Sequence, residues 1–180
     1  MTITFLPLSE YHFPLLLKWL ETPHVKAWWD TDVAWTPELV QEKYETYVKG
    51  YKRLNLPTGI IEKPIHAFII CIDGHLIGYI QYYNKHDFPP EQGYETTSLP
   101  ESCAATDWYI GDLNFIGKGI GPKVLNLFLD LHVFPHFDHV FVDPDKTNTG
   151  AIRAYEKAGF HEINVVNGGK IVWIMREKSK

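Results

Sequence analysis

The chain has 180 residues, of which 45% are hydrophobic and 22% charged, and a formal net charge of −5. That balance fits one soluble globular domain spanning residues 1–180 and argues against nucleic acid, whose phosphates demand a basic surface. The apolar runs are too short to span a bilayer, so no membrane partner is expected. Two cysteines, Cys71 and Cys103, make no disulfide framework. The N-terminus has no basic start and reads as a strand, so no signal peptide is expected and a reducing cytoplasm is the default.

Residues 2–6 read as a short strand. Residues 8–20 carry apolar side chains at helical spacing through Leu16, Leu17 and Leu20, with Ser9 as the candidate cap and Pro14 confined to a first turn or a break. Thr36-Pro37 opens a second helix, because Thr caps and Pro suits the first helical position, and Gly50 stops it. Residues 51–64, with Pro57, Gly59 and Pro64, read as an irregular connection. Residues 65–72 and 75–83 are β-rich runs joined by Asp73-Gly74, the dipeptide favoured in two-residue hairpin turns. Residues 84–104 form a long loop of the kind that is functional or disordered in compact domains. A strand at 105–111, a glycine cluster, a helix at 119–132, a strand at 138–143, a helix at 148–158 and two closing strands at 160–166 and 170–175 complete the order. The result is a mixed α/β layer structure.

The strongest local feature is Ile116-Gly117-Lys118-Gly119-Ile120-Gly121, between a strand and a helix. Alternating glycines let the backbone approach a ligand and turn its N–H groups inward, and the helix start adds partial positive charge. Together these suit a diphosphate. The dinucleotide pattern fails because Pro122 stands where its third glycine belongs, and the phosphate-loop pattern lacks its Gly-Lys-Ser/Thr ending. A mere tight strand-to-helix turn is the plain alternative.

A second segment separates those readings. Asn148-Thr149-Gly150-Ala151-Ile152-Arg153-Ala154-Tyr155-Glu156-Lys157-Ala158-Gly159-Phe160 resembles the N-x-x-A-x-x-x-Y-x-x-x-G-F signature of the GCN5-related N-acetyltransferases (GNAT). The glycine turn resembles their R/Q-x-x-G-x-G/A segment, and the two lie in the family's order. Nearly the whole chain is covered. It is most similar to aminoglycoside 6′-N-acetyltransferases and to acyltransferases of siderophore biosynthesis, through Val25-Lys26-Ala27-Trp28-Trp29, Thr106-Asp107 and Val142-Asp143-Pro144. Ile116 departs from the usual Arg or Gln and removes a cationic contact to diphosphate.

The resemblance implies a central mixed sheet of about seven strands flanked by about four helices and split between its fourth and fifth strands. It implies acetyl-coenzyme A as cosubstrate and a small cationic amine as acceptor, with no metal. The thioester would lie along the strand at 105–111, where a backbone N–H near Tyr109 or Ile110 faces the carbonyl oxygen. Residues 116–121 (Ile116, Gly117, Lys118, Gly119, Ile120 and Gly121) and Asn148 would hold the coenzyme.

Tyr155 is the candidate general acid, since a phenol titrating near pH ~10 stays protonated and can donate to the leaving sulfur. Asp107 is the candidate base, directly or through a water. An ordinary carboxylate at ~3.9 is a poor match for an ammonium proton, so it also serves to attract and orient that group. Asp143 pairs with a second cationic group or caps its turn. Tyr94 and Glu95 are candidate lid residues, and Trp28 and Trp29 candidate stacking residues, one of them in the core. The triplet His132, His136 and His139 has metal-like spacing, but Pro135 interrupts it. The acceptor expected first is an aminoglycoside; another amine or hydroxylamine such as a siderophore precursor is the alternative, and a non-catalytic coenzyme A sensor the third. The assembly expected is a monomer or homodimer.

Overall fold

The computed structural model describes residues 1–89 and 95–179. Its strands are β1 (Ile3–Pro7), β2 (Tyr51–Leu56), β3 (Gly59–Pro64), β4 (His66–Ile72), β5 (His75–Asn84), β6 (Cys103–Ile110), β7 (His139–Val142), β8 (His161–Val166) and β9 (Ile171–Glu177). Its helices are α1 (Phe13–Leu20), α2 (Pro23–Lys26), α3 (Pro37–Val48), α4 (Gly121–Phe128) and α5 (Thr149–Lys157). Seven strands form a mixed sheet in the order β1-β4-β5-β6-β7-β9-β8, and β2 and β3 pair only with each other. The sequence therefore misjudged residues 51–64. Alternating side chains on both arms and Gly59, at φ 132°, make a hairpin there instead of an irregular connection.

Local chemistry explains most boundaries. Thr36 accepts a hydrogen bond from the Leu39 N–H at 3.3 Å and starts α3. Ser9 opens a 3-10 turn over Glu10–His12 and not the α-helix itself, with its N–H donating to His12 Nδ1 at 3.1 Å. Asp73 and Gly74 both take positive φ, 48° and 84°, as a type I′ turn requires. The helix read at 119–132 is shorter. After α4 the backbone loosens into a π turn over Leu129–Val133, closed by Phe134 N–H to Leu129 O at 2.8 Å. β6 begins two residues before the expected 105 and takes in Cys103, which is fully buried.

The chain packs as two compact units. Met1–Gln81 and Trp108–Lys118 form the first; Tyr82–Asp107 and Gly119–Lys180 form the second. In the first unit β1 runs antiparallel to β4, with Ile3 opposite Ile72 and Phe5 opposite Ile70. Leu16, Leu20, Val40, Ile69, Ile70, Ile77 and Ile80 are buried in its core. In the second unit β7 lies parallel to β6 and antiparallel to β9, and β8 closes the edge with an irregular register between Glu162 and Asn164. Leu99, Cys103, Phe141, Ile171 and Trp173 form one of its apolar clusters. No helix among the described residues is long and apolar enough to cross a membrane.

Candidate functional site

The backbone from Asp112 to Gly121 builds the first part of the site. Asp112 accepts from the Asn114 N–H at 2.9 Å and starts a 3-10 turn over Leu113–Phe115. Gly117 and Gly119 follow at φ 73° and 68°, a conformation that costs other residues about 1 kcal/mol or more. A Cβ added at either glycine would meet nothing within 4 Å, so the space beside them is open. The Lys118 N–H closes a turn over residues 116 and 117, whereas among the described residues no backbone group accepts from the N–H groups of Gly117, Gly119, Ile120 and Gly121; Lys123 and Val124 already bond back to Ile120 O at 3.0 Å. Four free donors ahead of a helix suit an anion. Lys118 stands exposed among them, and Ile116, 41% exposed, contributes no charge. These residues fit a diphosphate, with backbone N–H groups taking the place of the missing Arg or Gln.

β6 supplies the second part. Its ladder to β7 runs through Cys103↔His139, Ala104↔Val140 and Ala105↔Phe141 and ends there, although β6 continues to Ile110. Asp107 is half-buried two residues past the last pair. Asp143 is half-buried just beyond the end of β7. Asn148 caps α5, its Oδ1 accepting from the Ala151 N–H at 3.2 Å, which leaves its carboxamide nitrogen as the group able to donate to a ligand. Tyr155 is buried, 7% exposed, with its ring 5.3 Å from Phe160. Asp145 is occupied by the Thr147 hydroxyl at 2.6 Å and the Thr147 N–H at 2.8 Å, which hold its carboxyl below the usual range. It serves its own turn.

The second unit thus holds Asp107, Gly119, Ile120, Gly121, Asp143, Asn148 and Tyr155, and the first holds Trp28, Trp29, Tyr109, Ile110, Ile116, Gly117 and Lys118. Glu95 is exposed, and Tyr94 lies outside the described residues. Of the two tryptophans, Trp28 is 49% exposed. Trp29 is half-buried and packs edge-on to Tyr109 and Tyr79, at 5.0 and 5.9 Å. The histidine triplet gathers no ligand set: His132 packs on Phe128 at 5.2 Å, and His139 Nδ1 donates to Ser102 O at 3.3 Å.

Sequence reading missed an aromatic cluster in the first unit. Tyr109 stacks on Tyr79 at 5.7 Å, Tyr79 meets Tyr44 at 5.7 Å, and Tyr44 lies 6.1 Å from Trp35. Four polar atoms here are buried without a hydrogen bond: Trp29 Nε1, Trp35 Nε1, Tyr44 Oη and Tyr109 Oη. The Trp29 N–H faces Tyr44 Oη and eases charge there without reaching hydrogen-bond geometry. Each such group costs about 1–3 kcal/mol. Burial, reinforced by the Asp30 carboxylate, pushes the Tyr109 hydroxyl well above its ordinary value; burial, then Tyr109 and Asp30, do the same to Tyr44. Asp30, at φ 46°, takes the Lys43 ammonium at 2.7 Å. The only sequence signal was the aromatic density at Trp28, Trp29, Trp35, Tyr44 and Tyr47.

A model of the Acetyltransferase (GNAT) domain matches residues 9–167. The chain is 28% identical to aminoglycoside N(6′)-acetyltransferase type 1 of Klebsiella pneumoniae over 169 residues, covering 92% of this chain and 77% of that protein. Its structure is similar to that of aminoglycoside acetyltransferase AAC(6′)-Ib in complex with coenzyme A and kanamycin. There the TM-score is 0.79 and the identity 25%, with 98% of this chain and 95% of that one covered. A spermidine N-acetyltransferase from Vibrio cholerae shares the fold at a TM-score of 0.68 and 14% identity, over 97% of this chain and 95% of that one. With the glycine cradle, the interrupted β6 ladder and the Asn148-capped α5 in place, the family match makes the chain a member of the GNAT acetyltransferases.

Proposed function

We propose that the protein transfers an acetyl group from acetyl-coenzyme A to a cationic amine, with an aminoglycoside 6′-amine as acceptor, by direct transfer in a ternary complex. The free N–H groups of Gly117, Gly119, Ile120 and Gly121 ahead of α4 carry this reading, because a diphosphate-bearing cosubstrate suits them. The acceptor class rests on the 28% identity to an aminoglycoside N(6′)-acetyltransferase along 92% of the chain. The family match spans residues 9–167, drawn from both compact units, which supports one transferase domain.

Acetyl-coenzyme A supplies the activated acyl thioester. Backbone N–H groups of β6 near Tyr109 and Ile110 stabilise the negative charge that grows on its carbonyl oxygen. Asp107 draws in the acceptor ammonium and takes its proton, directly or through a water. Tyr155 donates its phenolic proton to the departing sulfur, and its burial keeps water from competing. Asn148 and Lys118 assist the cradle, Asp143 pairs with a further cation, and Trp28 stacks on the acceptor. Glu95 shields it. The protein works in the cytoplasm, where its cosubstrate is made, as a monomer or homodimer.

The test is steady-state thiol release with kanamycin, a polyamine, N-hydroxylysine and a lysine peptide as acceptors. Kanamycin turnover that falls about a hundredfold in kcat for both Asp107→Asn and Tyr155→Phe, with coenzyme A affinity kept, supports these roles. Preferred turnover of N-hydroxylysine moves the acceptor to siderophore chemistry. Coenzyme A binding without turnover of any amine leaves a sensor.

A further inference from the structure

Lys43 makes an arrangement that a simple ion pair does not need. Its ammonium is 2.7 Å from Asp30 Oδ2 and also stands over two aromatic faces, 5.3 Å from the Trp35 ring centre and 5.4 Å from that of Tyr44. A carboxylate with two flanking rings is the chemistry by which proteins hold alkylammonium ions. Lys43 and Asp30 are 30% and 32% exposed, so the ammonium can leave for solvent on its flexible stem. Asp30 is fixed by its left-handed backbone and by the Val33 N–H, which donates to Asp30 O at 3.0 Å.

The two rings beneath that ammonium carry Trp35 Nε1 and Tyr44 Oη, both buried and unbonded. An indole N–H requires an acceptor atom, which no ammonium offers. The ligand that satisfies the whole cluster therefore carries oxygen as well as positive charge. Tyr109 of β6 belongs to the same cluster, through Tyr79.

We propose that Asp30, Trp35 and Tyr44 bind one ammonium group of a hydroxyl-bearing polycationic acceptor, and that the Lys43 ammonium fills this site in the free protein and is displaced on binding. Exchanging one ammonium for another keeps the Asp30 charge balanced, while acceptor hydroxyls reach the unbonded indole and phenol. This deepens the reading of a cationic acceptor and rests on it for the kinetic part of its test.

The test pairs kinetics with a binding measurement that needs no turnover. In the full-length protein, the Trp35 indole N–H resonance is assigned with Trp35→Phe and followed by NMR during titration with kanamycin and, separately, spermine. A saturable shift with kanamycin, lost in Asp30→Asn and weaker with spermine, is expected. In acetyl transfer, Lys43→Met lowers the kanamycin KM and Asp30→Asn raises it, each about tenfold with kcat kept. The KM for 6-amino-6-deoxyglucose, which has a single ammonium, stays unchanged in both. Equal changes for the two acceptors, or an unmoved Trp35 resonance while kanamycin is acetylated, overturn the proposal. A Trp35 shift without turnover keeps this site and defeats the transfer reading instead.

Discussion

The two compact units differ in how much polar surface their aromatic clusters bury: one indole nitrogen, that of Trp173, in the second, and two indole nitrogens and two hydroxyls in the first. In the second, Phe141 meets Trp173 edge-on at 5.4 Å inside an apolar cluster with Leu99, Cys103 and Ile171. In the first, Tyr44, Tyr79, Tyr109, Trp29 and Trp35 pack together, but the Tyr44 and Tyr109 hydroxyls and the Trp29 and Trp35 indole nitrogens remain unbonded. A cluster that buries unbonded polar atoms gives up stability, and proteins do that where a ligand or water completes the set.

The sharpest way to break this contrast is to cut into each cluster. Phe141→Ala removes the centre of the apolar cluster and is expected to cost about 4 kcal/mol, measured by urea denaturation. Gly78→Ala tests the backbone under the polar cluster. Its Cβ would sit 2.2 Å from the Tyr109 carbonyl oxygen, a main-chain atom, so a loss of about 3 kcal/mol is expected in the same assay. Tyr109→Phe sharpens the comparison. It deletes an unbonded buried hydroxyl, so stability should hold or rise by about 1 kcal/mol. A large loss would show that this hydroxyl has a partner and that the two clusters are alike.

The smallest effect concerns Cys103. Burial pushes its thiol up from 9.0 to about 11, with the Lys85 ammonium opposing weakly. The folded state therefore favours the neutral thiol. That contribution is complete below pH 9 and is lost as pH rises through about 11. Denaturation midpoints should decline across that window, and Cys103→Ser should flatten the decline. In the native protein at pH 8, thiol reagents should leave Cys103 unmodified.

Much of the candidate site was legible in outline because its parts depend on short-range chemistry. The glycine turn needs only residues 116–121 and a helix behind it, and the cap and tyrosine of α5 recur at fixed helical spacing. Asp107 stood out only through its place beside Thr106 in a family-like stretch. Asp30 and Lys43 carried no such mark. They are 13 residues apart and meet because α3 packs where the loop after α2 turns back at Asp30. The β2–β3 hairpin was missed for another reason: Pro57 and Gly59 are loop residues by composition, and only pairing of the two arms makes them a turn.

The sequence by itself determined the fold class, most of the elements in chain order, the glycine turn ahead of a helix and the family, since periodicity, turn dipeptides and motif spacing are written within one or two dozen residues. Tertiary structure alone decided which tryptophan faces solvent, which carboxylates already have partners, and that a lysine and an aspartate meet over two rings. Those outcomes depend on contacts between distant segments, and burial, which sets the cost of every polar group, exists only once the chain has folded.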